Sequence, residues 1–233
     1  MTSFVLIHGG GLDRRCWDRL VPQLDRTALA VDLPGRGAHP APLASVGLDD
    51  CARSVVDDID AAGLDDVILV GHSLAGCSMP GMIELLGARV RRAVFVACTV
   101  PEDGKSAFDT LDPEIQAMIR DAPVIVEPRP MAPEMAKIVL GNDLDDEAFS
   151  WCVERLVPEA PRLTEEPVDL SPLRGGVPCT WIRTTQDLIV APAKQLRFAS
   201  NVGDCRVIDL DAGHMCMVSQ PDQLASLLND LED

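Results

Sequence analysis

The stretch Val67-Ile68-Leu69-Val70-Gly71-His72-Ser73-Leu74-Ala75-Gly76 carries the reading of the whole chain. It opens with an unbroken apolar run, as in a strand covered by helices on both faces. A serine between small residues follows, at the point where that run gives way to helical spacing. A nucleophilic serine stands on a sharp strand-to-helix turn, so the residues two before and two after it must be small. Gly71 and Ala75 meet that condition, with Ala75 where the usual pattern has a second glycine and Gly76 one place later. Ser73 is the candidate nucleophile.

Outward from this turn, short apolar runs alternate with longer helical patterns, the mark of βαβ units. Strands are expected at 4–7, 28–31, 67–70, 93–98, 179–184 and 205–210. Helices are expected at 13–24, 48–62, from Ser73 to about residue 86, at 192–200 and at 221–231. The stretch 101–170 breaks the rhythm: it is rich in proline and acidic residues, with helical pieces near 113–119, 134–139 and 145–156. A structureless loop of that length is improbable in a compact domain, so it reads as a helical cap insertion. The expectation is a single α/β domain with a six-stranded, mostly parallel sheet, its core formed by 1–100 and 171–233 and its cap by 101–170.

An oxyanion formed by attack on a carbonyl requires preorganised N–H donors. One is expected from the backbone of Leu74, next after the serine, at the start of a helix. The other is expected in the loop after the first strand, His8-Gly9-Gly10-Gly11, where missing side chains let the backbone approach a substrate; Gly10 is favoured. That run has neither the dinucleotide-binding spacing nor a phosphate-loop lysine.

The four histidines are His8, His39, His72 and His214. His214 follows the last strand in Asp211-Ala212-Gly213-His214, where the glycine allows an unusual turn, and it comes after both serine and acid in the chain. It is the expected base, with His8 as its rival. Asp187, just past the strand 179–184, is the expected acid, and Asp103 is the alternative. Asp209 and Asp211 stand too near His214 in sequence to fold back onto it.

The formal charge of −17 and the absence of a Lys/Arg cluster argue against a nucleic-acid partner. The eight cysteines are scattered without zinc-type spacing, and Cys98 sits in an apolar run where cysteine acts as a small hydrophobe. No metal or cofactor is expected. No charged segment with a cleavage site precedes the first strand, and no apolar run is long enough to cross a bilayer. The expectation is a reduced, cytoplasmic protein, with a homodimer left open.

With these residues in place, the chain resembles the methylesterase and hydroxynitrile lyase family of α/β-hydrolases. The likeness lies in Phe4–Gly9, Val31-Asp32-Leu33, Val67–Ser73, Ala93-Val94-Phe95 and His214-Met215-x-Met217. Lyases of that family carry threonine after the strand-end histidine and lysine after the catalytic histidine; here Gly9 and Met215 stand there, as in the esterases. The resemblance implies a serine hydrolase that cleaves a carboxylic ester, thioester or lactone through an acyl-enzyme, and scarce lysine beside plentiful arginine suggests a bacterial source. The alternatives are a lyase, cyclase or cofactor-free oxygenase on the same fold, or a ligand-binding receptor. Gly9, Met215, Trp151 and Met118 are expected to line the substrate site, together with Phe149, Met79 and Met82, although a methionine stripe is more often core filler.

Overall fold

The computed structural model describes residues 2–121 and 128–232; the part of the expected cap at 122–127 lies outside them. Among the described residues, the strands β1 (Ser3–Ile7), β2 (Ala28–Val31), β3 (Val67–His72), β4 (Val90–Val96), β5 (Cys179–Thr184) and β6 (Cys205–Leu210) form one sheet in the order β2-β1-β3-β4-β5-β6. Every pairing is parallel, so the sheet is wholly rather than mostly parallel. Parallel strands need crossovers, and the helices supplying them cover both faces.

Side-chain alternation divides the core. Val5, Ile7, Val67, Leu69 and Phe95 point to one side, where they pack on Val55 and Ile59 of α1 (Leu48–Ala61), Met79 and Met82 of α2 (Met79–Leu86), and Phe198 of α7 (Pro192–Val202). Phe4, Leu6, Ile68, Val70 and Val94 point to the other, against Trp17, Leu20 and Leu224 and Leu228 of α9 (Pro221–Asn229). Burying a side chain of this size stabilises by about 1.5–3 kcal/mol.

Two elements differ from expectation. Residues 13–24 form two 3-10 turns, Arg14–Trp17 and Val21–Gln23, instead of one α-helix. The Asp13 carboxylate accepts from Arg15 N–H and caps the first, and Pro22 cannot donate to a longer ladder. Trp17 and Leu20 are nonetheless fully buried, so their apolar spacing reports core contact without an α-helix. The fourth strand starts at Val90, three residues early, because Val90 and Arg92 already pair with Val67 and Ile68 of β3. It stops at Val96 because Ala97 takes a positive φ of 49° and turns the chain out of the sheet.

Between β4 and β5 the described insertion holds short helices: α3 (Pro113–Asp121), α4 (Pro133–Val139), α5 (Asp146–Val153) and α6 (Arg162–Glu165). Ala136, Ala148 and Cys152 pack into the second core cluster and Leu163 into the first. Strand order reverses between β1 and β3, and a parallel α/β sheet opens a crevice at the carboxyl ends of its strands at such a point. The glycine run after β1 and Ser73 after β3 flank it.

Candidate active site

Ser73 follows directly on β3 and has a φ of 53°, one of two positive values at non-glycine positions among the described residues. That conformation costs about 1–3 kcal/mol and persists only where its surroundings over-determine it. Close packing does so here. A β-carbon on Gly71 would lie 2.3 Å from Met79 Sδ, and one on Gly76 would lie 2.6 Å from the Thr99 carbonyl. Thr99 N–H donates to the Ser73 carbonyl at 2.9 Å, tying the turn to the end of β4. The helical segment after the serine is first a 3-10 turn, Ser73–Cys77, with α2 beginning at Met79. Leu74 stands in the first turn, where N–H groups have no intrahelical acceptor.

His214 lies in the loop between β6 and the short helix α8 (Cys216–Ser219). Its Nε2 stands 2.9 Å from Ser73 Oγ and its Nδ1 2.7 Å from Asp187 Oδ2. All three groups are almost fully buried. With Nδ1–H donating to the carboxylate, Nε2 is left as acceptor for the serine hydroxyl. Gly213 has no positive φ; its need is one of space, since a β-carbon there would lie 2.3 Å from Asp143 Oδ1.

Asp187 is held as an anion. Burial alone would raise its pKa, but the charge of His214 and hydrogen bonds from His214, Val190 N–H and Thr184 Oγ outweigh that and bring it below the usual carboxylate value. Oδ1 accepts from the N–H groups of Ile189 and Val190, both at 2.8 Å, and Oδ2 accepts from Thr184 Oγ at 2.9 Å. Behind it, fully buried Gln195 of α7 donates to the Val190 carbonyl at 2.7 Å and to Thr184 Oγ at 2.9 Å. Thr184 and Gln195 escaped the sequence reading, for a threonine ending a strand and a glutamine in a helix carry no local sign of burial.

The rivals are engaged elsewhere. His8 donates through Nδ1 to the Gly9 carbonyl and accepts Leu33 N–H at Nε2, and burial followed by the Arg36 charge lowers its pKa to about 4. His72 donates from Nε2 to the His214 carbonyl, and burial followed by the neighbouring His214 lowers its pKa to about 3. His39 pairs with Asp58. Asp103 accepts from Leu170 N–H and Arg174, bracing the chain ahead of β5.

Gly9 and Gly10 lie against the serine turn. A β-carbon on Gly9 would be 2.7 Å from Ser73 Cβ, and one on Gly10 would be 3.2 Å from Leu74 Cδ2. A cleft beside them is lined by Gly9, Gly10, Leu33, Leu48, Leu74, Leu163 and Glu159. Glu159 is a further residue that local pattern did not reveal. It accepts Gly11 N–H at 2.8 Å and forms a close ion pair with the buried guanidinium of Arg36.

Most residues expected to line the substrate site lie away from this cleft. Met118 points outward from α3 and is 67% exposed. The Trp151 indole is covered by the Arg155 guanidinium, 3.9 Å from the ring centre, with Arg19 at 5.2 Å. Met215 is buried in the core face shared with α9, and Met79 and Met82 fill the opposite face. Phe149 packs beside the core with Lys137 over its ring. Of these, Gly9 alone reaches the cleft.

Among the described residues no cluster of His, Cys, Asp and Glu could hold a metal, and no helix is long and apolar enough to cross a membrane. All eight cysteines are free.

A family model described as the alpha/beta hydrolase family matches residues 4–227. A probable esterase from Oryza sativa subsp. indica is 39% identical over 114 residues, which are 47% of this chain and 43% of that protein. The chain thus matches less than half the length of that curated relative. The carbendazim hydrolyzing esterase of Nocardioides sp. (strain SG-4G) is 29% identical over 98% of both chains. Polyneuridine aldehyde esterase of Rauvolfia serpentina is 27% identical over 99% of this chain and 95% of its own. Among solved structures, an extracellular alpha/beta-hydrolase from a Paenibacillus species superposes with a TM-score of 0.85 at 24% identity, covering 98% of each chain, a likeness of fold.

Proposed function

The chain belongs to the alpha/beta hydrolase family, and we propose that it hydrolyses a small to medium carboxylic ester, or a related thioester or lactone, through an acyl-enzyme on Ser73. The observation that carries this reading is the unbroken path from Ser73 Oγ to His214 Nε2 at 2.9 Å and from His214 Nδ1 to Asp187 at 2.7 Å. Relatives named esterases that align over nearly the whole chain support the ester as substrate class.

Ser73 Oγ attacks the carbonyl carbon as its proton passes to His214 Nε2, and the carbonyl π electrons move onto oxygen. The N–H groups of Gly10 and Leu74 receive that oxyanion, and Asp187 stabilises the imidazolium. On collapse, His214 protonates the departing alcohol and leaves an acyl-serine. Water attacks the acyl carbon, His214 takes its proton and returns it to Ser73, and the acid departs. The position after His214 is Met215, whose neutral thioether offers no cation to a leaving cyanide, which favours hydrolysis over lyase chemistry.

The test joins fluorophosphonate labelling with a panel of methyl, aryl and acyl esters. Wild type should acquire one phosphonate on Ser73 and turn over at least one ester class, and Ser73→Ala should lose turnover by about 10⁴–10⁶-fold. An unlabelled Ser73 in folded protein, or turnover that survives Ser73→Ala, would overturn the proposal.

A further inference from the structure

The insertion touches the loops bearing acid and base through two consecutive residues. Asn142 Nδ2 donates to the Gln186 carbonyl at 2.8 Å, one residue before Asp187. Asp143 Oδ2 accepts Gly213 N–H at 2.5 Å, one residue before His214. We infer that Asn142 and Asp143 are positioning residues: a clamp from the insertion that sets the separation and orientation of Asp187 and His214. This inference rests on the serine-hydrolase reading above.

The sheet alone does not hold His214. Backbone hydrogen bonds between the two loops run from Thr185 N–H to the Leu210 carbonyl and from Gln186 N–H to the Ala212 carbonyl, both at 2.9 Å. They end at Ala212. Beyond it the chain leaves the sheet, and the Gly213–His214 peptide must still place an imidazole in reach of both Ser73 and Asp187. Asp143 holds the Gly213 N–H of this segment, and His72 holds the His214 carbonyl.

The fit at Gly213 is specific. Asp143 Oδ1 and Asn142 Oδ1 lie 2.3 Å and 3.1 Å from where a β-carbon on Gly213 would be. A side chain at 213 would therefore have to displace the Asp143 carboxylate. Asp143 Oδ1 is itself buried without a hydrogen-bond partner among the described residues.

The experiment compares Asn142→Ala, Asp143→Ala and Asp143→Asn with wild type, using hydrolysis of p-nitrophenyl acetate, the rate of Ser73 phosphonylation, thermal unfolding and the downfield NMR resonance of the His214 Nδ1 proton. Small misplacements of catalytic groups cost about 10²-fold, so Asp143→Ala should lower kcat and the phosphonylation rate by about that factor with KM within about twofold. Asp143→Asn, which retains an oxygen acceptor for Gly213 N–H, should recover most of the loss, and Asn142→Ala should fall in between. The Nδ1 proton resonance should move or broaden in the alanine variants. Should Asp143→Ala not fold, Asn142→Ala decides by the same readouts. Rates within about twofold of wild type with an unmoved resonance, a loss confined to KM, or no rescue by asparagine would each overturn the clamp. If wild-type Ser73 does not react at all, the hydrolase reading fails, and the proton resonance still reports on the clamp.

Discussion

His72 Nε2–H donates to the backbone carbonyl of His214 at 2.9 Å, so the residue preceding the serine holds the main chain of the residue that would activate it. The two rings lie 4.6 Å apart, and His72 is wholly buried. Replacing His72 by phenylalanine keeps a ring but removes the donor, leaving a buried carbonyl unpaired at a cost of about 1–3 kcal/mol. His72→Phe should accordingly lower the urea midpoint and reduce kcat for any ester that wild type turns over. An unchanged midpoint and unchanged kcat would show that water or local relaxation replaces the bond.

Acid should destabilise the fold early. His8 and His72 are held neutral with pKa values of about 4 and about 3, below the value of about 6.5 of a free histidine. Between about pH 6.5 and these lowered values the unfolded chain binds protons that the folded chain does not, so stability is complete above that window and falls as pH decreases through it. Each histidine contributes a slope of up to about 1.4 kcal/mol per pH unit. Urea unfolding at pH 7.5, 6 and 5 measures the slope, and His8→Asn should roughly halve the part due to histidine. Stability that is flat or rises from pH 6.5 to 5 would contradict the assignment.

Gly9→Ala tests the approach of the glycine loop to Ser73. The added methyl would sit 2.7 Å from Ser73 Cβ and 2.9 Å from His72 Nδ1. No real contact is that short, so either the loop or the serine must move. Displacement of Ser73 or of Gly10, the proposed oxyanion donor, should reduce kcat/KM by about 10–10²-fold. Steady-state kinetics decide it, with near-UV circular dichroism to verify that the fold persists.

The Arg36–Glu159 pair calls for a double-mutant cycle. The Arg36 side chain is 1% exposed and that of Glu159 23%, and Glu159 also holds Gly11 N–H. Removing one partner strands the other, so Arg36→Met or Glu159→Leu alone should each cost about 3 kcal/mol, and the double variant less than their sum. Chemical denaturation of the four proteins gives the coupling; simple additivity would mean that the pair contributes nothing beyond its separate members.

Much of this architecture was legible in the sequence because local rules govern it. Apolar runs such as 67–70 and 179–184 read as strands since backbone pleating puts alternate side chains on opposite faces, and a sheet covered on both faces needs both kinds apolar. Ser73 was legible from its small neighbours, and His214 and Asp187 from their places beyond strand ends. The α-helix expected over 13–24 failed because apolar spacing records which residues meet the core and not how the backbone brings them there.

The linear order of residues was sufficient to establish a parallel α/β sheet with a serine turn, a glycine loop and a histidine and aspartate at consecutive strand ends. Tertiary structure alone decided what surrounds them: Gln195 and Thr184 behind Asp187, Glu159 on the glycine loop, Asn142 and Asp143 across the loops bearing Asp187 and His214, and the placement of Met118, Trp151 and Met215 away from the cleft beside Gly9. The physical reason is range. Periodicity and turn chemistry act over a few residues, whereas the contacts of Glu159 with Gly11 and of Asp143 with Gly213 join segments 148 and 70 residues apart, and no local preference encodes which distant segment arrives.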